Sequence, residues 1–190
     1  TRYLDDVVIP DSVVTIEDRA FRYSKISSLS TGNGVKSIGN TAFSGCRNLT
    51  RVTLGKSVET IGQGAFPAFV VFTDVLVNEE NPFFSSEDGV LYNKDKTELA
   101  VYPSGKSASS FTVPDTVVKI KESCFCNCKS LRSVTMGSRV GEIGDHAFYG
   151  CGNLTDIFVS DGNVSFSSEN GVLYNADMTV LHFYPEGKAD

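Results

Sequence analysis

The sequence predicts a solenoid of stacked repeats whose regular element is a short parallel β-strand. Three observations lead to this prediction. An Ile-x-x-x-(Ala/Cys)-Phe pattern recurs down the chain, an apolar set spaced Leu-x-x-Val-x-Leu recurs with it, and a longer segment returns 82 residues further on. Self-similarity at a fixed period is the sequence signature of repeat architectures, so these recurrences decide the fold class before any local structure is considered.

The Ile-x-x-x-(Ala/Cys)-Phe pattern sets the length of the repeat. It begins at Ile16, Ile38, Ile61, Ile120 and Ile143, at intervals of 22, 23, 59 and 23 residues. The long interval equals one ordinary repeat plus a unit of 36 residues. The spacing therefore predicts an array of ordinary repeats that one longer unit interrupts.

A second recurrence accounts for the longer unit. Residues 81–106, NPFFSSEDGVLYNKDKTELAVYPSGK, return at 163–188 as NVSFSSENGVLYNADMTVLHFYPEGK. Their offset of 82 residues equals two ordinary repeats plus one long unit, so the chain carries a tandem 82-residue duplication of a three-part module. In each copy two strand-rich stretches flank a short polar turn, which predicts a β-hairpin insert.

The apolar sets predict the strands. The last two apolar positions of each set alternate with polar neighbours, which is the period of a half-buried strand. In chain order the sets are Leu4/Val7/Ile9, Ile26/Leu29/Thr31, Leu49/Val52/Leu54, Phe72/Val75/Val77, Ala108/Phe111/Val113, Leu131/Val134/Met136 and Leu154/Ile157/Val159. Seven short parallel strands, joined by short helical or irregular segments, give leucine-rich-repeat geometry, in which stacking supplies the core. We therefore expect residues 1–190 to form a single right-handed leucine-rich-repeat solenoid domain with two β-hairpin inserts.

Two of the repeats resemble a known family. IGNTAFSGCRNLTRVTL at 38–54 and IGDHAFYGCGNLTDIFV at 143–159, with IPDSVVTI and VPDTVVKI before the Ile motifs, resemble the BspA-like leucine-rich repeats of bacterial cell-surface proteins. The departures are Ser24 and Phe69 in the column of Cys46, and Cys124 in the usual Ala position. The resemblance implies a secreted or surface-anchored interaction module and names no single ligand. It also implies an extracellular location, with a signal peptide already removed, because the N-terminus TRYLDDVVIP has no such pattern.

Composition argues against two classes of partner. The net charge is −6 and the pI is about 4.9, whereas binding to phosphate backbones needs clustered Lys and Arg. The longest apolar run, FPAFVVF at 66–72, is far shorter than the ~20 residues of a membrane-spanning helix. We expect neither nucleic-acid binding nor membrane insertion.

The five cysteines are expected to be structural. Cys124, Cys126 and Cys128 form a CxCxC motif, which can indicate metal thiolates or a reactive thiol. In repeat register, however, Cys124 takes the Ala position and Cys128 shares a column with Cys46 and Cys151, so a ladder of buried thiols is the favoured interpretation. A disulfide between Cys128 and Cys151 stays open, and we expect no metal site, because structural zinc needs four ligands in paired spacings.

No pattern in the sequence predicts catalysis or a cofactor. The GKS triplets at 55–57 and 105–107 lack the first Gly of a phosphate-binding loop, and the turns at 93–97 and 175–179 lack the Gly and Glu of a calcium loop. His146 and His182 fall in unlike frames without a recurring nucleophile. We expect a chain that is not an enzyme, with no cofactor and no sizeable pocket of converging polar groups.

The outward positions of the strands supply the candidate binding residues. Side chains that flank the middle apolar residue of a strand point away from the core. The candidate binding face consists of Val8, Arg51, Thr53, Asp74, Leu76, Ser133, Thr135, Asp156 and Phe158. Leu76 and Phe158 either anchor a partner or pack beneath their own inserts. Tyr92, Tyr102, Tyr174 and Tyr184 recur at the 82-residue offset, either to pack the inserts or to form a second binding surface.

These observations favour a non-catalytic adhesion module that recognises a protein of a host or neighbouring cell. A glycan is a second partner class. The alternative is a passive spacer or stalk segment of a larger surface protein, because no polar capping repeat is evident in the sequence. The chain is expected to be a monomer or part of a longer surface protein.

Overall fold

A computed structural model of the protein describes residues 6–66, 68–69 and 71–188. The strands among these residues, in chain order, are β1 (Asp6–Val8), β2 (Thr15–Ile16), β3 (Ser28–Ser30), β4 (Ser37–Ile38), β5 (Arg51–Leu54), β6 (Thr60–Ile61), β7 (Asp74–Val77), β8 (Phe84–Glu87), β9 (Val90–Asn93), β10 (Glu98–Val101), β11 (Ser110–Thr112), β12 (Lys119–Ile120), β13 (Ser133–Met136), β14 (Glu142–Ile143), β15 (Asp156–Val159), β16 (Phe166–Glu169), β17 (Val172–Asn175) and β18 (Leu181–Phe183). Turns and irregular segments connect them, and within the described ranges no helix forms, so none there could span a membrane. The helical alternative for the connections is therefore not found.

The predicted parallel solenoid is confirmed. Strands β1, β3, β5 and β7 pair in parallel in one sheet, and β11, β13 and β15 pair in parallel in another. The middle apolar residues align across the strands, as in the pairs Leu29↔Val52 and Val134↔Ile157. These residues are buried, because successive side chains of a strand point to opposite faces and this face packs on the core. Leu4, in the first predicted set, lies outside the described residues.

A second ladder of very short strands runs along the Ile motifs. Ile16 pairs with Ile38 and Ile38 with Ile61 in the sheet β2-β4-β6, and Ile120 pairs with Ile143 in β12 and β14. Each strand has only two residues, too few to show an alternating pattern. The sequence pattern therefore does not predict this second ladder.

Each insert contains three antiparallel strands instead of the two predicted. The sequence pattern predicts the FSSEDGVLYN stretch as one arm of a hairpin, yet this stretch folds on itself as β8 and β9 with Glu87 opposite Val90. The two turn residues, Asp88 and Gly89, have φ values of 47° and 73°, as a tight two-residue hairpin turn requires. Strand β10 then pairs antiparallel with β9 and parallel with β12, so Leu99 continues the Ile ladder opposite Ile120.

An aromatic row and a thiol column run through the core. Phe43 stacks between Phe21 and Phe66, with ring centroids 5.6 and 6.0 Å away. The Cys46 thiol donates a hydrogen bond to the carbonyl oxygen of Phe21 at 2.9 Å, and the Cys151 thiol does the same to Phe125 at 2.9 Å. Each thiol thus adds a second hydrogen bond to a carbonyl of the preceding repeat, which already accepts one from the backbone N–H of Ser24 or Cys128.

The apolar core is divided into two clusters by strand β9. Leu91 packs in the N-terminal cluster, while Val90 and Tyr92 pack in the C-terminal cluster. This strand is therefore buried on both faces, unlike the half-exposed strands of the parallel sheets. The first insert consequently forms the shared wall of the two modules.

Candidate binding surface

The outward positions form two rows across each parallel sheet. Strand register aligns the first outward residue of each strand and, separately, the second. Row one contains Asp6, Ser28, Arg51 and Asp74 in the first sheet and Ser110, Ser133 and Asp156 in the second. Row two contains Val8, Ser30, Thr53 and Leu76 in the first sheet and Thr112, Thr135 and Phe158 in the second. Every residue of the predicted binding face lies in one of these rows.

The charged groups of row one have local partners. The Arg51 guanidinium lies 3.7 Å from the Asp74 carboxylate, and the Thr73 hydroxyl donates to that carboxylate at 2.8 Å. In the second module the Thr155 hydroxyl donates to Asp156 at 2.8 Å, and the Lys188 ammonium lies 3.9 Å from it. Exposed pairs of this kind contribute only about 0–1 kcal/mol to stability. Row one is therefore a line of polar and charged side chains that pair with their neighbours and contribute little to stability.

Row two carries the exposed apolar groups. Val8 is 72 % exposed, Leu76 37 % and Phe158 47 %, while the residues beside them in the row are Ser and Thr. Removing such hydroxyl and apolar surface from water costs less than removing charged groups. Row two is consequently the part of the sheet face that a partner can desolvate most easily.

The inserts lie at the end of each sheet face. The backbone N–H of Val75 donates to the carbonyl of Gly89 at 2.9 Å, and the N–H of Val77 donates to the Ser86 hydroxyl at 3.1 Å. In the second copy Ile157 donates to Gly171 at 2.9 Å and Val159 to Ser168 at 3.1 Å. Each insert therefore satisfies the open edge of β7 or β15, a protective arrangement for an edge strand. This contact is not among the features predicted from the sequence, although the Asp88–Gly89 and Asn170–Gly171 pairs are local signals of the turns that make it.

Leu76 and Phe158 are only partly covered next to these edge contacts. Leu76 lies between Val75 and Val77, whose backbone N–H groups donate to the first insert. Phe158 lies in the same way between Ile157 and Val159 in the second copy. Both side chains nevertheless keep more than a third of their surface in contact with solvent. Neither side chain is packed away beneath its insert.

The four tyrosines that recur at the 82-residue offset do not form one row. Tyr92 and Tyr102 are buried in the core, whereas Tyr184 is exposed and Tyr174 is half-buried. Packing is therefore the role of the first pair. The tyrosines of the first insert are more buried than those of the second because a further repeat packs on the first insert, where β10 pairs with β12.

Two concavities lie outside the sheet faces. The sequence predicts no sizeable pocket, and the larger of these two shows that this prediction is wrong about pocket size. One, of about 830 Å³, lies at the junction of the two modules. The other, of about 370 Å³, lies at the equivalent place in the second copy and brings His146 and His182 together with Glu186, although their sequence frames differ. The Glu186 carboxylate accepts a hydrogen bond from the N–H of Gly150 at 2.9 Å.

The cysteines lie in the core as free thiols. Cys46, Cys124, Cys128 and Cys151 are buried and Cys126 is half-buried, with no disulfide among them. A hydrogen bond to Cys151, together with burial, raises the pKa of the Cys128 thiol, and burial raises the pKa of Cys124. The same contact with Cys128 lowers the pKa of the Cys151 thiol. Across the described part of the chain, no group of three or more His, Cys, Asp or Glu residues is arranged to hold a metal ion.

Comparison with known proteins agrees with this architecture. The BspA type Leucine rich repeat region matches residues 1–99 and 98–181, in six copies. Among solved structures, the pneumococcal vaccine antigen PcpA is 29 % identical with a TM-score of 0.64, over 76 % of this chain and 42 % of that one. A leucine rich cell surface protein from Faecalibacterium prausnitzii A2-165 is 23 % identical with a TM-score of 0.53, over 98 % of this chain and 56 % of that one. Among curated proteins no sequence matches the chain.

The chain thus spans about half the length of the solved structures that it resembles. The family match covers both modules, including the strands that carry the two outward rows. Leucine-rich repeat proteins of this type generally serve as non-enzymatic scaffolds that mediate protein interactions. From the repeat pattern, the parallel sheets and the family match together, we conclude that the chain belongs to the BspA-type leucine-rich repeat family.

Proposed function

We propose that this chain is a non-catalytic adhesion module of a bacterial cell-surface protein, and that it binds a protein of a host or neighbouring cell through row two of its sheet face. The row of Val8, Leu76 and Phe158 among Ser and Thr residues is the observation that carries the proposal. The family match and the names of the two structural neighbours, a pneumococcal vaccine antigen and a cell surface protein, support the surface location.

The chemistry of row two suits a protein partner. Interfaces draw most of their binding energy from a few apolar or aromatic anchors surrounded by contacts that exclude water. Phe158 is such an anchor in the second module, and Leu76 takes the equivalent place in the first. Arg51, Asp74, Ser133 and Asp156 of row one, with Thr53 and Thr135 beside the anchors, supply the polar groups that fix the orientation of the partner.

The test is a binding screen followed by substitution of the anchors. Purified protein is screened against extracellular-matrix proteins and a glycan panel, and each hit is measured by calorimetry with Phe158→Ser and Leu76→Ser. Each change should weaken binding at least tenfold, which corresponds to about 1.4 kcal/mol. Tyr23→Ser is the matched control, since Tyr23 is an exposed aromatic residue outside the strands. Binding that survives both anchor substitutions would exclude row two as the site.

The alternatives give different results in the same screen. A glycan-binding module would bind glycans on the panel and lose matrix-protein binding after enzymatic deglycosylation of the partner. A passive spacer would bind nothing in the screen, and both anchor variants would behave as the unchanged protein in every assay.

A further inference from the structure

The second insert exposes a strand edge whose counterpart in the first insert is covered. In the first copy β10 pairs in parallel with β12 of the fourth repeat, and Leu99 lies opposite Ile120. At the offset of 82 residues β18 corresponds to β10, and Leu181 corresponds to Leu99. Leu99 is fully buried, whereas Leu181 is 54 % exposed, because no strand of the described ranges lies beside β18 on that side.

The backbone groups that join the first insert to the fourth repeat are unpaired in the second insert. The carbonyl oxygens of Thr97 and Leu99 accept hydrogen bonds from N–H groups of the fourth repeat at distances between 2.8 and 3.1 Å, and the N–H of Tyr102 donates to the carbonyl of Cys124 at 3.0 Å. The equivalent groups have no hydrogen-bond partner among the residues that the structure describes; they are the carbonyls of Thr179 and Leu181 and the N–H of Tyr184. Free groups along a strand edge form a template for pairing with another chain.

Apolar side chains accompany this open edge. Four of them are between 45 % and 54 % exposed, namely Met178, Val180, Leu181 and Tyr184. Lysine or proline often protects an exposed edge strand, and β18 contains neither. In the first copy Tyr102, the equivalent of Tyr184, is 2 % exposed because its ring packs on Phe111 and Phe125 at centroid distances of 4.8 and 5.3 Å.

The first repeat resembles the fourth repeat, which covers the first insert. IPDSVVTI at 9–16 corresponds to VPDTVVKI at 113–120, so β2 is the equivalent of β12. The backbone agrees after the strand as well, since Arg19 has a φ of 60° and its equivalent Ser123 has a φ of 56°. Strand β2 pairs with β4 on one side and with no described strand on the other.

The free side of β2 presents the groups that complement the edge of β18. In the fourth repeat the N–H groups of Val118, Lys119 and Lys121 donate to the first insert, and the carbonyl of Cys124 accepts. Their equivalents are unpaired within the described part of the chain; they are the N–H groups of Val14, Thr15 and Glu17 and the carbonyl of Ala20. Ala20 is exposed, whereas Cys124 is buried beneath the first insert.

The side chains that would face each other also match. In the first copy Glu98 lies opposite Lys119. Their equivalents, Val180 and Thr15, are both uncharged and β-branched. Pairing of β18 with β2 in the same register would therefore leave no unpaired charge at this position, and branched side chains pack well across neighbouring strands.

We propose that a second copy of this chain stacks its first repeat on the second insert, so that β2 of one copy pairs in parallel with β18 of the other. Two different surfaces meet in this contact, so each pair of chains keeps one free surface of each kind. A contact of this type that does not close into a ring extends as a linear array. The two outward rows of the sheet face are not part of the contact, and the array would repeat them along its length.

Sedimentation equilibrium of the whole chain measures this association. The weight-average mass should rise above 20.5 kDa with concentration and should not level off at two chains. Protein concentrations up to about 1 mM populate complexes with a Kd in the micromolar range. A chain that stays monomeric throughout this range, as the sequence-based expectation of a monomer requires, would overturn the proposal.

Two single variants distinguish a head-to-tail contact from other modes of association. Leu181→Lys places a charge in the surface of the second insert, and Ala20→Lys places one in the surface of the first repeat. Each variant alone should associate at least tenfold more weakly. An equimolar mixture should form pairs of chains and nothing larger, because the intact second insert of one variant meets the intact first repeat of the other. The proposal is wrong if the mixture stays monomeric or if either variant associates as the unchanged protein does.

A pair of double variants tests the register and takes over if a single variant loses its cooperative thermal transition. Thr15→Lys with Val180→Glu copies the facing pair Lys119 and Glu98, whereas Thr15→Lys with Val180→Lys places like charges opposite each other. The first combination should associate about fivefold to tenfold more tightly than the second, and added salt should reduce this difference. Equal association of the two would contradict the pairing of β2 with β18. Val164→Lys is the matched control, since Val164 is exposed and lies before β16, two strands away from the open edge.

Discussion

Truncation of Phe43 measures how much the aromatic row contributes to stability. Phe43 is fully buried and stacks on Phe21 and Phe66 on its two sides. Phe43→Ala removes the whole ring from a column in which neighbouring rings are fixed by their own repeats, so the space cannot close completely. Loss of a buried aromatic of this kind typically costs about 3–5 kcal/mol. Because Phe43 belongs to the N-terminal core cluster, the cost should fall on that module first.

The assay is urea denaturation followed by circular dichroism and by tyrosine fluorescence. The free energy of unfolding should fall by roughly 3–5 kcal/mol, with Phe43→Leu falling by less because most of the volume is kept. Val164→Ala, at an exposed site, should change the free energy by less than about 0.5 kcal/mol. A loss below about 1 kcal/mol for Phe43→Ala would show that the Phe column is not the core of the repeats.

Three further predictions concern the turns, the tyrosines and the thiols. Gly171 has a φ of 75°, and an added Cβ would lie 2.3 Å from an Asp156 carboxylate oxygen, so Gly171→Ala should cost about 2–3 kcal/mol by urea denaturation. Gly162 has a φ of 82° with open space around it, so Gly162→Ala should cost only about 1 kcal/mol. Equal losses for the two variants would show that the clash at Gly171 does not contribute. The pKa of Tyr102 is raised from 10.0 to about 12, so its contribution to stability is present below pH 10 and is lost as pH rises through about 12. In Tyr102→Phe the urea midpoint should fall less steeply as the pH rises from about 10 to about 12. An equally steep fall in the variant would contradict the attribution of this pH dependence to Tyr102. In a thiol titration without reductant, Cys126 should react first in the folded protein and five thiols should react after denaturation, whereas three would reveal a disulfide.

The strands of the parallel sheets could be predicted because each carries its signal locally. Val52 and Val75 are buried between outward residues, and the same spacing recurs in every unit. Repetition turns a short alternating pattern, which is ambiguous by itself, into a consistent register. The rows of the candidate binding face follow from that register alone, so their positions were accessible from sequence.

The cavity and the edge contacts could not be predicted because they depend on how the inserts dock. Nothing local to Leu99 shows that it continues the Ile ladder, since its pairing with Ile120 requires β10 to lie beside β12. In the same way, Ala100 and Val101 line a cavity only because the third and fourth repeats stand on either side of the insert. The Asp88–Gly89 and Asn170–Gly171 pairs are local signals of the tight turns within the inserts, but they do not show where the inserts dock.

Strand β9 packs into both core clusters, so the first insert connects the cores of the two modules. In a repeat protein, stability is close to a sum of unit terms and nearest-neighbour terms. Here β9 contributes to the neighbour term between the modules, with Leu91 on one side and Val90 and Tyr92 on the other. Disruption of β9 would therefore weaken both core clusters at once.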